Sequence, residues 1–236
     1  MMTFAEKVIS FHKNLDFKGT LPGNIRIMNP FRENPFVMEI VEAFYKRFYS
    51  DNHKRRLILG INPGRFGAGT TGIPFTDTVR LAEKCGLQIP GVKSFEPSSV
   101  FVYEMIDAYG GVEKFYSDYY ISAVVPLGFT APGKKEKHVN YNYYDDPHLS
   151  EAVEGFIKDS IETQLGFGIL TDVCFCLGTG KNFRFLEKFN NINGYFGRIE
   201  PLEHPRFIMQ YRSKQKEQFI TRYVEALRGA SGKQQA

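Results

Sequence analysis

The residues of this chain best suited to chemistry gather where short apolar runs stop. Arg56–Ile61 is such a run, and it leads directly into Asn62-Pro63-Gly64. A strand ending this way exposes a fixed amide at its tip. The loop that follows, through Phe75, carries Gly64, Gly67, Gly69 and Gly72. Glycines let backbone N–H groups come close to a ligand. A phosphate-cradling loop is the plainer reading, but the segment lacks the Lys-Ser/Thr ending of a Walker loop and is not GxGxxG. An amide does not titrate usefully, so Asn62 can orient a water but cannot act as a strong base. Two further amides, Asn140 and Asn142, stand in the run His138–Asp146. Each can face a donor and an acceptor at once, as a polar ring edge requires, or can simply make turn contacts. Ser122 is a third group of this kind. Towards the C-terminus, His204-Pro205-Arg206 opens a stretch that adds Gln210, Tyr211 and Arg212, groups able to stack and to hold phosphate.

These positions need a scaffold. Phe4, Val8 and Phe11 share one face of a helix within Met1–Asn14. Leu21–Pro35 reads as loop, and Phe36–Tyr49 as an amphipathic helix with Val37, Ile40, Val41, Phe44 and Phe48 inward. Thr76 or Asp77 is expected to cap a helix through Glu83, with Asp77 as the alternative source of the carboxylate that Asn62 lacks. Ser99–Ala108 and Val112–Tyr116 read as helix and turn, Tyr119–Val125 as a strand stopped by Pro126, and Thr130–Pro147 as a polar, aromatic loop. Helix Leu149–Leu165, strand Thr171–Leu177, turn Gly178-Thr179-Gly180, helix Asn182–Phe189, strand Arg198–Leu202, loop His204–Arg212 and helix Lys214–Leu227 complete the chain. Strands alternating with helices predict a three-layer α/β/α sandwich around a short, mainly parallel sheet. Ligands of such sheets bind at the carboxyl ends of the strands. Four loops fall there, after Ile61, Val125, Leu177 and Leu202, and they hold the unusual residues.

Composition sets the bounds. The 236 residues are 42% hydrophobic and 24% charged, enough apolar material for one sizeable core. One domain over 1–228 is expected, with a disordered tail over 229–236. The first ten residues do not read as a signal peptide and no stretch is long and apolar enough to span a bilayer, so a cytoplasmic monomer is the expectation. Cys85, Cys174 and Cys176 are too few for a four-cysteine iron–sulfur cluster and read as buried thiols. No cluster has zinc spacing, so no metal and no cofactor are expected. A net charge of +4 permits nucleic acid as a partner without requiring it. Lys134, Lys135 and Lys137 form a small basic cluster that is either a nucleic-acid contact or a solvated run.

The order Gly60-Ile61-Asn62-Pro63-Gly64, Phe66-Gly67, Thr71-Gly72-Ile73-Pro74-Phe75 resembles the first motif of single-strand-selective monofunctional uracil-DNA glycosylases. His204-Pro205-Arg206 is similar to the second motif of a bacterial branch of that family. The resemblance covers Ile58–Thr78, Tyr119–Pro132, Val173–Phe185 and Ile199–Arg212, and it is thin over the first fifty residues. It implies a uracil-DNA glycosylase-like fold. It assigns Asn62 to hold the attacking water, Phe75 to stack on a base flipped out of DNA, and His204 to donate to the base oxygen and stabilise the departing anion. It places the backbone of Gly60, Ile61, Pro63, Gly64, Arg65 and Phe66 beside that base. The His204–Arg212 segment matches the loop that wedges into the duplex, with Phe207, Ile208 or Met209 as the apolar wedge and Arg206, Gln210, Tyr211 and Arg212 on the DNA. Gly178–Asn182 matches a third turn, where Lys181 reaches phosphate or the turn is merely tight. One departure stands out. Eukaryotic members carry an asparagine that reads the uracil edge where this chain has Ala123, so Asn140, Asn142 or Ser122 is expected to take over that reading.

The expectation is therefore a cofactor-free, monofunctional hydrolase that removes uracil and other deaminated bases from single- or double-stranded DNA. No lysine stands at Asn62, which favours direct attack by water over a Schiff base. A nucleic-acid-binding protein that has lost catalysis, and a hydrolase of free nucleosides or nucleotides, are the two alternatives.

Overall fold

The structure is a computed structural model that describes residues 2–133 and 137–231. Four parallel strands form the central sheet, in the order β3 (Tyr119–Ala123), β2 (Arg55–Gly60), β6 (Ile169–Leu177) and β7 (Ile199–Leu202). Residues 57–59 of β2 and 173–177 of β6 are unbroken buried apolar runs because both faces of the sheet are covered there. Neighbouring residues on β3 show the two faces directly, since successive side chains alternate. The Tyr119 hydroxyl donates to Leu227 O on helix α11 (Lys216–Ser231). Tyr120 instead packs against Phe4 of α1 (Phe4–Asn14) and Tyr45 of α3 (Pro35–Phe48). Helix α6 (Pro97–Tyr109) packs on α11, while α8 (Pro147–Leu165) leads into β6 and α9 (Lys181–Asn193) into β7 in the usual crossover pattern.

The amino end of the sheet is anchored by a buried arginine. Arg55 makes a two-pronged ion pair with Asp51 at 2.8 and 2.9 Å and donates to Tyr116 O, with its guanidinium over the rings of Phe4 and Tyr49. The polar pairing leaves no unsatisfied charge at the rear of the sheet. The functional residues lie at the other end.

The expected three-layer arrangement is present, with five differences in detail. Leu21–Pro35 is not all loop: it contains β1 (Arg26–Met28) and the short helix α2 (Pro30–Glu33). Thr130–Pro147 likewise contains β5 (His138–Tyr141), and β4 (Gly128–Pro132) runs into it. The three strands form a separate antiparallel sheet in the order β1-β4-β5. Strands of three to five residues carry too little pattern to announce themselves, and β1 forms only by pairing with the remote β4. Val112–Asp118 is a full helix, α7, rather than a turn. His204–Arg212 is not a loop. Pro205–Tyr211 forms helix α10, with Pro at its first position and His204 as the N-cap. Helix α11 also continues through Ser231, so the expected tail does not begin at 229. Residues 232–236, and Lys134 and Lys135 of the basic cluster, lie outside the described residues, while Lys137 is exposed. Among the described residues no helix is long and apolar enough to cross a membrane.

Candidate active site

A cavity of about 350 Å³ opens at the carboxyl ends of β2 and β3. That volume is at the lower end of small-molecule sites, roughly 300–1,000 Å³. Five separate stretches of chain wall it: the glycine-rich loop, the start of α6, the tip of β3, the segment after β4, and α10 with its cap.

Asn62 stands where β2 ends. Its side chain is locked by the backbone beyond β5: Nδ2 donates to Tyr141 O and Oδ1 accepts from Tyr143 N, both at 3.1 Å. One N–H and one lone pair remain, enough to hold a water in a fixed direction. The strand itself is extended past its end, as Val124 N and Val125 N donate to Gly60 O and Ile61 O. Tyr143 is in turn fixed by its hydroxyl, which donates to Asn182 Oδ1 at 2.8 Å.

Phe75 covers the floor. The glycine-rich loop holds a single helical turn, α4 (Ala68–Thr71), and is braced by Thr71, whose hydroxyl donates to Thr76 O at 2.6 Å and accepts from Ile73 N. Phe75 adopts φ 51°, a left-handed conformation that is unusual for a bulky residue and stores about 1–3 kcal/mol of strain. The ring lies against Gly60, where an added Cβ would stand 3.0 Å from Phe75 Cε2. A side chain at residue 60 would press the ring back by a few tenths of an ångström. Phe75→Ala is expected to weaken capture of a ring-shaped ligand by about 1–3 kcal/mol. Gly60→Ala should weaken it in the same direction by pushing the ring off the strand. Equilibrium binding of DNA carrying a damaged base checks both, and unchanged affinity in Phe75→Ala would reassign the ring to the core.

His204 faces Phe75 across the cavity, with ring centroids 5.7 Å apart. Its Nδ1 accepts from Arg206 N at 3.1 Å as the cap of α10. The other nitrogen, Nε2, must then carry the proton in the neutral ring. Burial, reinforced by the Arg206 charge, pulls the imidazole down to about 4. The ring is thus a neutral N–H donor at ordinary pH. Its accessible surface opens onto the cavity.

Asn140 is oriented as firmly. Its Oδ1 accepts from both Arg65 N and Arg65 Nε at 3.2 Å, so Nδ2 is the free end. Glu96, at the N-cap position of α6, brings a carboxyl to the same wall without capping the helix. Burial first, then the nearby Asp77, push it up to about 7, against the opposing pull of Arg206. Asp77 itself is a fully buried cap. It accepts from Arg80 N and Glu96 N, is ion-paired with Arg80, and is absent from the cavity wall.

Among the residues expected from sequence, Gly60, Ile61, Asn62, Pro63, Gly64, Phe75, Ser122, Asn140, Asn142, His204, Arg206, Gln210 and Tyr211 line the cavity. Ala123 also lines it and brings no polar group, as its type dictates. Four residues do not reach it. The Arg65 side chain turns to β5, Phe66 is exposed beneath the Arg65 guanidinium, Lys181 sits over the Tyr144 ring, and Arg212 over Phe207. Of the three apolar candidates on α10, Ile208 is fully buried and Met209 packs on the core. Phe207 is 43% exposed at the rim and packs at a tilt against Tyr211. Residues missed in the sequence are Glu96, Ser98, Tyr144, Pro74 and Ala68. Glu96 did leave a trace. It precedes Pro97 at a helix start, a place usually held by Ser, Thr, Asp or Asn.

A model of the uracil DNA glycosylase superfamily matches residues 47–228. No curated protein matches the chain. Among solved structures, the crystal structure of wild-type SMUG2 from Pedobacter heparinus is 56% identical, with a TM-score of 0.96, over 98% of this chain and 100% of that one. That match takes in most of the segment before residue 47, which lies outside the family model. With a family model spanning most of its length and this relative at its side, the chain belongs to the uracil DNA glycosylase superfamily.

Proposed function

We propose that this glycosylase hydrolyses the N-glycosidic bond of uracil, and of other deaminated bases, in DNA by direct attack of water. The observation that carries the reading is the arrangement of His204, Asn62 and Phe75 around one cavity. Cleaving the bond leaves cationic character on the sugar and negative charge on the departing base. A preorganised donor aimed at that charge lowers the barrier more than it strengthens ground-state binding. Neutral His204 supplies such a donor from Nε2. Asn62 holds a water against the sugar, and Phe75 takes the face of the base, which any base can offer. Among the described residues no lysine lines the cavity, which supports a monofunctional reaction ending at a free base and an abasic site. Phe207 and Tyr211 are suited to fill the gap left in the stack, with Arg206 on the phosphates.

Alkali-treated gel assays test this on single- and double-stranded oligonucleotides containing one uracil. Incision only after alkali, with no adduct trapped by borohydride, is expected. Free deoxyuridine should turn over orders of magnitude more slowly. No incision across pH and salt would overturn the reading, and equal turnover of deoxyuridine would replace it with a nucleoside hydrolase.

A further inference from the structure

We propose that Glu96 and Asn140 together read the extruded base, Asn140 donating to a ring carbonyl and the ionised Glu96 carboxylate accepting from the adjoining ring N–H. This rests on the glycosylase reading and names what selects its substrate. The need for a second residue follows from the way Asn140 is held. A free asparagine offers both a donor and an acceptor. Here both lone pairs of Oδ1 are taken by Arg65 N and Arg65 Nε, which leaves only Nδ2 to face the cavity. The tip of β3 cannot supply the missing acceptor from a side chain at Ala123.

Glu96 stands in the right place. Measured from the point where a Cβ on Gly64 would stand, Asn140 Nδ2 is 3.2 Å away and Glu96 Oε1 3.5 Å away. Donor and acceptor therefore lie close together beside the Gly64 backbone on the cavity wall, where a side chain at residue 64 would crowd them. Gly67 has the same purpose for the carboxylate. A Cβ there would collide with Glu96 Oε2, so only glycine allows the carboxyl to lie where it does. Among the described residues the Glu96 side chain has no hydrogen-bond partner, and its accepting capacity is open to a ligand.

The ligand chemistry follows from this pair. A lactam edge, with carbonyl beside N–H, satisfies both groups. Deamination products share that edge. Cytosine and adenine present the reverse, a ring lone pair beside an amine. The lone pair would meet the carboxylate, and the amine would meet the Asn140 N–H. Two repulsive contacts reject cytosine and adenine more strongly than the loss of one bond, while thymine and guanine carry the lactam edge themselves and must be kept out by the shape of the cavity. The ionised carboxylate is the stronger acceptor and carries no O–H of its own to set against the ring N–H. The charged groups that act on it are Asp77, paired with Arg80 at the start of α5 (Thr78–Cys85), and Arg206 on α10, with His204 neutral across the cavity. Their balance with burial puts the carboxyl at about 7, so reading strengthens as pH rises through neutrality.

The test uses the full chain with free uracil as the probe, by titration calorimetry at pH 6 and pH 8, alongside single-turnover excision from a uracil oligonucleotide. Wild type is expected to bind uracil about tenfold more tightly at pH 8 than at pH 6, following one titrating group. Glu96→Ala should weaken binding at pH 8 by about 10–100-fold, the worth of a charge-assisted hydrogen bond. Glu96→Gln keeps the shape and should lose the pH dependence. The proposal is overturned if both variants keep wild-type affinity and pH response. It is equally overturned if they lose turnover with uracil affinity intact, which would make Glu96 part of the bond-breaking step. Failure of wild type to excise uracil would sink the functional reading instead, independently of either variant.

Discussion

His204→Asn is expected to slow base release in single turnover by about 10²–10³-fold while leaving affinity for uracil-containing DNA within a few-fold, the pattern for loss of a donor that acts on developing charge. Asparagine is the informative replacement because His204 has two duties. Its Nδ1 caps α10 by accepting from Arg206 N. Alanine would remove the cap and cost about 1 kcal/mol of stability as well, which would blur the kinetic result. Asparagine keeps a capping oxygen and lacks the reach of Nε2. Equal losses in rate and affinity would make His204 a DNA contact only. The protonation state adds a second check. With the imidazole held down to about 4, the donor is neutral above pH 5 and does not change through the ordinary histidine range. No loss of rate attributable to His204 is expected as pH rises through 6.5. A fall there that disappears in His204→Asn would mean the imidazolium is the working form.

Asn62→Ala should produce the other large effect, and on two readouts. Turnover is expected to fall by about 10²-fold or more, as water loses its fixed position against the sugar. Stability should fall as well, by about 1–3 kcal/mol, because the change leaves Tyr141 O and Tyr143 N without partners in a partly buried site. A thermal melt separates the two effects. The amide ties the tip of β2 to the segment after β5, so the small antiparallel sheet is positioned through the same side chain that holds water. Asn62→Asp distinguishes strut from water holder. It keeps an acceptor for Tyr143 N but sets an oxygen against the Tyr141 carbonyl. Its stability should lie no higher than that of wild type, while a carboxylate can still orient and activate water. Turnover by Asn62→Asp as slow as that of Asn62→Ala would show that the strut, not the water, is what the reaction requires.

The sequence by itself determined the central sheet and the loops at its carboxyl end. Its apolar runs are long enough, and their glycine and proline stops sharp enough, that strand ends at Ile61, Val125, Leu177 and Leu202 follow from local pattern, the second of them two residues beyond the Ala123 where β3 ends. The ordered motif from Gly60 to Phe75 and the His204-Pro205-Arg206 signature placed the main chemical groups in one site. Tertiary structure decided the rest. Short strands β4 and β5 pair with each other and are joined by β1 from about a hundred residues away, so a sequence window sees only loop. The His204–Arg212 segment becomes a helix, and its packing on α6 selects Ile208 for the core and Phe207 for the rim. Asn140 was legible as an amide, but its direction is set by Arg65, seventy-five residues away. Glu96 was legible only as an unusual residue before a helix-starting proline, not as a functional group. Its carboxyl matters because Gly64 and Gly67 leave room for it, and because burial and Asp77 raise its proton affinity. Spacing along a chain reports which face a residue takes. Desolvation, and hydrogen bonds that consume one end of an amide, are set by neighbours remote in sequence, and so the identity of the base reader belongs to the fold.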